Sequence, residues 1–249
     1  MNLYSDFKKL DQTLVLLSSS NNYTDLHLAV APLSYNDETK LLLDHVRYHV
    51  ETAARELSLE RFARFENELY TRIFSYMNGS TTLEKISGII LIKELLKCTS
   101  SSTESKVTKF AKALVTALNA NNDFSIIELI ADTLGHMARY SPVSDVDYLE
   151  VELNKALGWL QASGSRSMLI STHSSSSNAK GRPVSSLAHK SRQLSNSSYR
   201  RYAACKVLYQ LATNAPTIFF ARINEFFDLI WGPLWDTNIQ VCNSMRCDR

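Results

Sequence analysis

The sequence predicts an all-α chain of about four helical hairpins, and three observations predict it. Only 7 glycines and 5 prolines occur in 249 residues, too few for the many turns of an all-β chain. Apolar residues return every three or four positions, the period of an amphipathic helix. Helix-start signals recur at intervals near forty residues, as a repeated two-helix unit requires. Hydrophobic residues make up 45% of the chain and charged residues 21%, with a net charge of +2. That is an ordinary globular composition, and it gives no electrostatic argument for a nucleic-acid or membrane-surface binder.

Residues 1–35 are mixed and polar and read as a partly ordered tail, with a short helix over Leu3–Leu17 broken by Ser18–Thr24. The first hairpin starts at Asn36, a candidate N-cap followed by Asp37 and Glu38, which suit the positive end of a helix. Leu41, Leu42, His45, Val46, His49, Val50, Ala53, Ala54 and Leu57 give its first helix an apolar face. Ser58 caps the partner helix, lined by Phe62, Phe65, Leu69, Ile73 and Met77. Gly79 is expected to end that helix in the left-handed conformation. Thr81 and Glu84 stand in capping-box spacing ahead of Leu83, Ile86, Ile89, Ile90 and Leu95. After a loop at Cys98–Ser102 come Val107, Phe110, Ala111, Leu114, Val115 and Leu118. Asp123 caps a third pair. Ile126, Ile127, Ile130, Leu134 and Met137 line its first helix, and Val146, Leu149, Leu153, Ala156, Leu157 and Leu160 its second, with Pro142 between them.

The segment 161–198 breaks this pattern. Fourteen of its 38 residues are Ser, five are Lys or Arg, and none is acidic. Such a composition offers too little apolar surface to offset ordering entropy and reads as a disordered basic insertion. A fourth hairpin spans 199–236. Tyr199, Tyr202, Ala203, Val207, Leu208 and Leu211 lead to a turn at Asn214–Pro216. One aromatic helix then carries Ile218, Phe219, Phe220, Ile223, Phe226, Phe227, Ile230 and Trp231, and Gly232–Pro233 is expected to stop it. Periodicity spreads these side chains over more than one face, so part of the set is expected to stay uncovered. Residues 237–249 read as an atypical tail.

First helices therefore start near 37, 82, 123 and 199, at intervals of 45, 41 and 76 residues; the last falls to 38 once the insertion is set aside. A hairpin period of ~40–47 residues marks HEAT and armadillo arrays, in which each hairpin buries a face against the next to form a solenoid. A plain helical bundle would not need the regular period. The hairpins occupy 36–160 and 199–236.

Chemical motifs are sparse. His45 and His49 lie one helical turn apart, but Val46 stands where a zinc protease needs Glu. Asp123-Phe124-Ser125 resembles a kinase metal-binding triplet with Ser in place of Gly, and no glycine-rich phosphate loop or His-Arg-Asp loop accompanies it. Asp123 therefore reads as a helix cap. Arg200, Arg201 and Lys206 with Tyr199 and Tyr202 read as a solvated helix face with tyrosine rims. The four cysteines, Cys98, Cys205, Cys242 and Cys247, are dispersed and read as free thiols of a reducing compartment. No catalytic, cofactor-binding or metal-binding residue is expected. Arg182-Pro-Val-Ser185 and Arg192-Gln-Leu-Ser195 each place Arg three residues before Ser, the arrangement that basic-directed kinases favour, so Ser185 and Ser195 are candidate phosphorylation sites. No run approaches the ~20 apolar residues of a membrane span.

Several segments carry a family resemblance in order. They are Arg61-Phe62 to Ile73-Phe74, Gly88-Ile89-Ile90-Leu91-Ile92, Leu134-Gly135-His136-Met137-Ala138, and Val151-Glu152 to Ala156-Leu157-Gly158-Trp159-Leu160. Tyr199-Arg200-Arg201-Tyr202-Ala203-Ala204, running on to Trp235-Asp236, completes the set. Over roughly 36–160 and 199–236 the chain resembles the N-terminal HEAT region of target-of-rapamycin Ser/Thr protein kinases, of the phosphatidylinositol-kinase-related family. The resemblance implies a protein-interaction scaffold in growth and nutrient signalling. It also implies a Raptor-like regulatory subunit and a small GTPase as partners. ATP and Mg belong to the parent kinase domain, which this chain does not contain. Residence is expected in the cytoplasm and, through complex assembly, at lysosomal or vacuolar surfaces. A free-standing adaptor in transport or trafficking is the competing expectation. The insertion at 161–198 and the unmatched stretch 238–249 depart from the family pattern, and the chain reads as a fragment, a truncated product or a mis-framed gene model.

Overall fold

A computed structural model describes residues 10–16, 37–98, 106–140, 150–151, 154–161 and 184–244. The fold class is the expected one, all-α helical hairpins of HEAT/armadillo type, and no strand occurs among the described residues. The helices are residues 10–16 (α1), Asp37–Glu56 (α2), Leu59–Met77 (α3), Thr82–Leu95 (α4), Lys106–Ala120 (α5), Phe124–Tyr140 (α6) and residues 154–161 (α7). Val184–Asn214 (α8), Pro216–Ala221 (α9), Ile223–Leu234 (α10) and Ile239–Ser244 (α11) follow. The chain divides into two compact units, Met1–Ala120 with Tyr140–Asp145, and Asn121–Arg139 with Val146–Arg249.

In the first unit α4 is the central helix. Ile86 through Ile92 are all buried, as are Glu94 and Leu95. A helix with almost no polar face has to be enclosed. Helix α3 packs along it through Phe62, Phe65, Leu69, Ile73 and Met77, all buried as the periodicity required. Helix α5 adds Val107, Phe110, Ala111, Leu114 and Leu118, and the Phe110 ring meets Tyr70 edge-on at 4.9 Å between centroids. On α2 the buried row is Leu43, Val46, Val50 and Ala53, whereas Leu41 is 69% exposed. Three consecutive leucines span too wide an arc for sequence to choose among them.

The helix ends follow local chemistry. At Thr81 the capping box is complete: the Thr81 N–H donates to Glu84 Oε2 (3.1 Å), and the Glu84 N–H donates to Thr81 Oγ1 (3.2 Å). The Thr81 N–H and the Thr81 hydroxyl, both donating to Oε2, hold the Glu84 carboxyl below its usual range. Ser58 takes the N-cap position of α3 without a side-chain cap bond. Gly79 is not left-handed. Asn78 ends α3 at φ −94°, and a methyl group on Gly79 would lie 2.5 Å from Glu84 Oε2. The glycine makes room for the capping box. At the other end of α4, Lys106 donates to the carbonyls of Leu95 (2.9 Å) and Cys98, closing carbonyls that the helix leaves open. Burial lowers the Lys106 pKa. Arg47 and Lys97 each bond the buried Glu94 at 3.0 Å, which ties α2 to α4.

In the second unit α6 takes the central place, with Ile126, Ile127, Leu129, Ile130, Ala131, Thr133, Leu134 and Met137 buried. Asp123 acts as its cap: its carboxylate accepts the Ser125 N–H at 2.9 Å and its carbonyl accepts from Ile127. Helix α8 starts at Val184, earlier than the sequence reading of 199, and so reaches into the Ser-rich segment. Serine is only mildly unfavourable in helices, and neither Gly nor Pro interrupts Val184–Asn214. The expected disorder over 162–183 lies outside the described residues, as do the expected Asn36 cap and the Pro142 break.

Helix packing in the first unit is close enough to exclude a side chain at Gly88. A methyl there would lie 2.7 Å from Met77 Cγ and 2.9 Å from the Met77 backbone nitrogen. Gly88→Ala is therefore expected to destabilise the chain by about 1–3 kcal/mol, the usual cost of overpacking. At Gly158 an added methyl meets nothing within 4 Å. Gly158→Ala should stabilise by about 0.5–1 kcal/mol through helix propensity alone. Urea denaturation midpoints moving in opposite directions would match; a stabilised Gly88→Ala chain would contradict the α3–α4 approach.

Candidate protein-interaction surface

The C-terminal half of the second unit departs from a single aromatic helix. Pro216 opens α9, which ends at Arg222, where the backbone leaves helical geometry (φ −117°, ψ 19°) before α10 begins. The break has a physical reward. In one continuous helix Phe219 and Phe226 would be ~10 Å apart along the axis. Here their rings stack at 4.5 Å with an interplanar angle of 10°, and Phe226 is fully buried. Arg222 secures the turn by donating twice to the Glu225 carboxylate (2.9 and 2.5 Å), which raises the Arg222 pKa and lowers that of Glu225. The Gly232–Pro233 pair does not stop α10, which runs on to Leu234. A proline in the last turn removes only one donor.

Residues 237–249 contain a further short helix. Asp236 accepts the Asn238 N–H (2.8 Å) and Asn238 accepts the Gln240 N–H (2.9 Å), which starts α11. Val241 on α11 is fully buried, and α11 packs on α8 and α10. The junction is held by Arg201 on α8, which grips Asp236 with two bonds of 2.5 and 3.0 Å; Asp236 is only 6% exposed. Cys205 lies beneath, bonded to Ser244, and burial pushes its thiol up to about 11.

On the other side of α9 and α10 the aromatic residues stay uncovered. Ile223, Phe227 and Trp231 follow one another at four-residue spacing on α10, so they form a single stripe, and Phe220 on α9 is exposed as well. Phe227 is 60% exposed and Trp231 53%, with their rings edge to face at 5.8 Å; Trp235 beyond them is 85% exposed. Together they leave on the order of 500 Å² of apolar surface in water. That is near the upper end for the largest patch of a soluble monomer and is typical of interaction sites.

The other singled-out residues are distributed as follows. Ser185 falls in the first turn of α8 and Ser195 in its interior; their side chains lie outside the described residues. The basic, tyrosine-rich start of the fourth hairpin is not a solvated face. Tyr202 is buried and donates to Glu128 Oε2 (3.1 Å), Lys206 bonds Glu128 Oε1 (2.7 Å), and Phe124 packs on both Tyr199 and Tyr202. Burial beside the Glu128 carboxylate raises the Tyr202 pKa. Arg200 remains exposed. Cys98, Cys205 and Cys242 are free thiols, and burial raises Cys98 to about 11. Among the described residues no group of three or more His, Cys, Asp or Glu side chains is placed to hold a metal ion, and no helix is long and apolar enough to cross a membrane.

No protein-family model matches the chain. Similarity to curated proteins is consistent. The chain is 29% identical over 195 residues to the serine/threonine-protein kinase TOR of Arabidopsis thaliana, a match covering 78% of this chain. It is 30% identical over 191 residues to TOR of Oryza sativa subsp. japonica, covering 77%. The chain is homologous to a segment of the TOR serine/threonine-protein kinases. TOR2 of Saccharomyces cerevisiae agrees, at 29% identity over 193 residues and 76% of this chain. The match spans 7%, 6% and 7% of these three TOR kinases, so the chain corresponds to a small part of each.

Removing one partner of a buried ion pair leaves the other charge uncompensated, which costs about 3–5 kcal/mol. Arg201→Ala should therefore loosen α11 and expose Cys205 to iodoacetamide, while Cys98 in the first unit stays protected. Mass spectrometry of timed alkylation reads both thiols. Equal protection of Cys205 in the wild-type and variant chains would show that Arg201 and Asp236 do not hold this junction.

Proposed function

We propose that the chain is a non-catalytic scaffold and protein-interaction segment from the N-terminal part of a TOR-type Ser/Thr kinase, acting in growth and nutrient signalling. The observation that carries this reading is the stripe Ile223, Phe227 and Trp231, an exposed apolar face on a helical-repeat framework. The similarity to TOR kinases over most of the chain supports it. The partner proposed for the stripe is a Raptor-like regulatory subunit; a small GTPase is the second proposed partner of the segment. ATP and Mg are assigned to the parent kinase domain and phosphoryl transfer to that domain alone. The proposed location is the cytoplasm, with recruitment to lysosomal or vacuolar surfaces through assembly. Ser185 and Ser195 are the proposed sites of control. A phosphate in the first turn of α8 is favoured by the helix dipole, whereas one in the interior lacks that benefit.

The test is binding of the purified full chain to the purified Raptor-like subunit of the same organism. Phe227→Asp with Trp231→Asp is expected to weaken binding at least ten-fold, because central aromatic anchors dominate interface energies. Gly158→Ala, which alters no residue of the stripe and meets no neighbour, should leave binding unchanged. Undiminished binding by the double variant would overturn the assignment of the stripe. ATP-dependent phosphorylation by the chain, above a heat-killed control, would overturn the non-catalytic reading.

A further inference from the structure

Beyond the interaction surface, the first unit brings two imidazoles together in a way the scaffold reading does not use. His45 and His49, one turn apart on α2, place their Nε2 atoms 3.1 Å from each other, with ring centroids 4.4 Å apart and an interplanar angle of 77°. On α1, Thr13 Oγ1 lies 3.1 Å from Nδ1 of His45. His45 is exposed and His49 partly exposed.

We infer that His45 and His49 form a two-histidine site for a borderline divalent transition metal of the Zn²⁺ or Cu²⁺ class. Two imidazole nitrogens bound ~2.0–2.1 Å from one tetrahedral zinc stand ~3.3 Å apart. The observed 3.1 Å is within a small ring rotation of that value. The Thr13 hydroxyl, which can donate or accept, accommodates the tautomer that metal binding needs. When Nδ1–H of His45 donates to Thr13 Oγ1, the lone pair resides on Nε2, the atom that faces His49. Metal-bound histidines have this arrangement, with the second ring nitrogen engaged by an outer hydrogen-bond partner. Imidazole suits zinc and copper and does not select hard cations such as Mg²⁺. The nearest cation on α2, Arg47, is neutralised by Asp44 and Glu94 and so does not oppose a bound metal. Water completes the coordination shell on the exposed side. The spacing lacks the Glu of a zinc protease, so the site binds metal without an assigned general base.

The full chain, freed of metal by chelator and dialysis, is titrated with ZnCl₂ by calorimetry. The expected result is one equivalent bound, weakened at least ten-fold by His45→Gln and likewise by His49→Gln. Thr13→Val keeps the stoichiometry and weakens binding ~10-fold, the lower end for loss of an outer-shell partner. MgCl₂ should give no heat attributable to this pair. Zinc uptake that is absent, or unaltered by both single histidine substitutions, would overturn the site and show the 3.1 Å contact to be a hydrogen bond only. Neither result bears on the aromatic stripe of the other unit.

Discussion

A helix that is apolar on nearly every side can exist only where other helices enclose it. Helix α4 is such a helix, and it sets the arrangement of its unit. Helix α4 buries seven consecutive residues, Ile86 to Ile92, so it needs neighbours around its whole circumference. Helices α2, α3 and α5 are amphipathic by contrast, each with one buried row and one wet face. Helices α2 and α3 pack against the all-apolar helix and against each other, and α5 joins them through Phe110 on Tyr70. Helical-hairpin repeats follow from this division of labour, because a hairpin with one enclosed helix cannot bury it alone.

Enclosure has a steric consequence. When a helix is packed from all sides, some neighbours approach its backbone directly. At Gly88 in α4 no side chain fits against Met77, and at Gly135 in α6 an added methyl would come within 2.8 Å of the Gln210 Cβ and the Asn214 amide. Both glycines sit at positions where propensity alone argues against them. Enclosure also strands the ends of the central helix, whose open carbonyls are out of reach of bulk water. Lys106 answers this at α4 by reaching across the loop to the carbonyls of Leu95 and Cys98.

Much of this was legible in the sequence. The rows Phe62 to Met77 and Val107 to Leu118, the Thr81–Glu84 capping box and the Asp123 cap are local or periodic features, and each depends on residues within one element. The parts that escaped depend on distant contacts. Leu43 rather than Leu41 faces the core because the neighbouring helices, not the leucine run, decide the azimuth. A glycine just past a helix suggests a left-handed terminator, whereas the small size of Gly79 serves Glu84 five residues later. The break at Arg222 has no Gly or Pro to announce it; the stack of Phe219 on Phe226 drives it. Of the interaction surface, sequence foretold an uncovered aromatic set but not which members. That choice needed the break, which turns Phe226 inward and leaves Phe227 and Trp231 outside.

Charge supplies the last constraint in the second unit. Helix α8 carries five Lys or Arg and no acidic residue over Val184–Asn214, so none of its cations can be neutralised by a neighbour on the same helix. Two that approach the interior, Arg201 and Lys206, must find carboxylates elsewhere, because a buried cation without a partner is costly. Lys206 finds Glu128 on α6, and Arg201 finds Asp236 in the turn after α10. Apolar packing alone would tolerate α8 sliding or rotating, since its Ala203, Ala204, Val207 and Leu208 faces are similar in size and shape. The ion pairs tolerate much less displacement. Two bonds to one carboxylate fix both position and angle. An acid-free helix therefore has its register set by where other elements place their acids, and the short helix α11 is held at the same point because Asp236 also starts it.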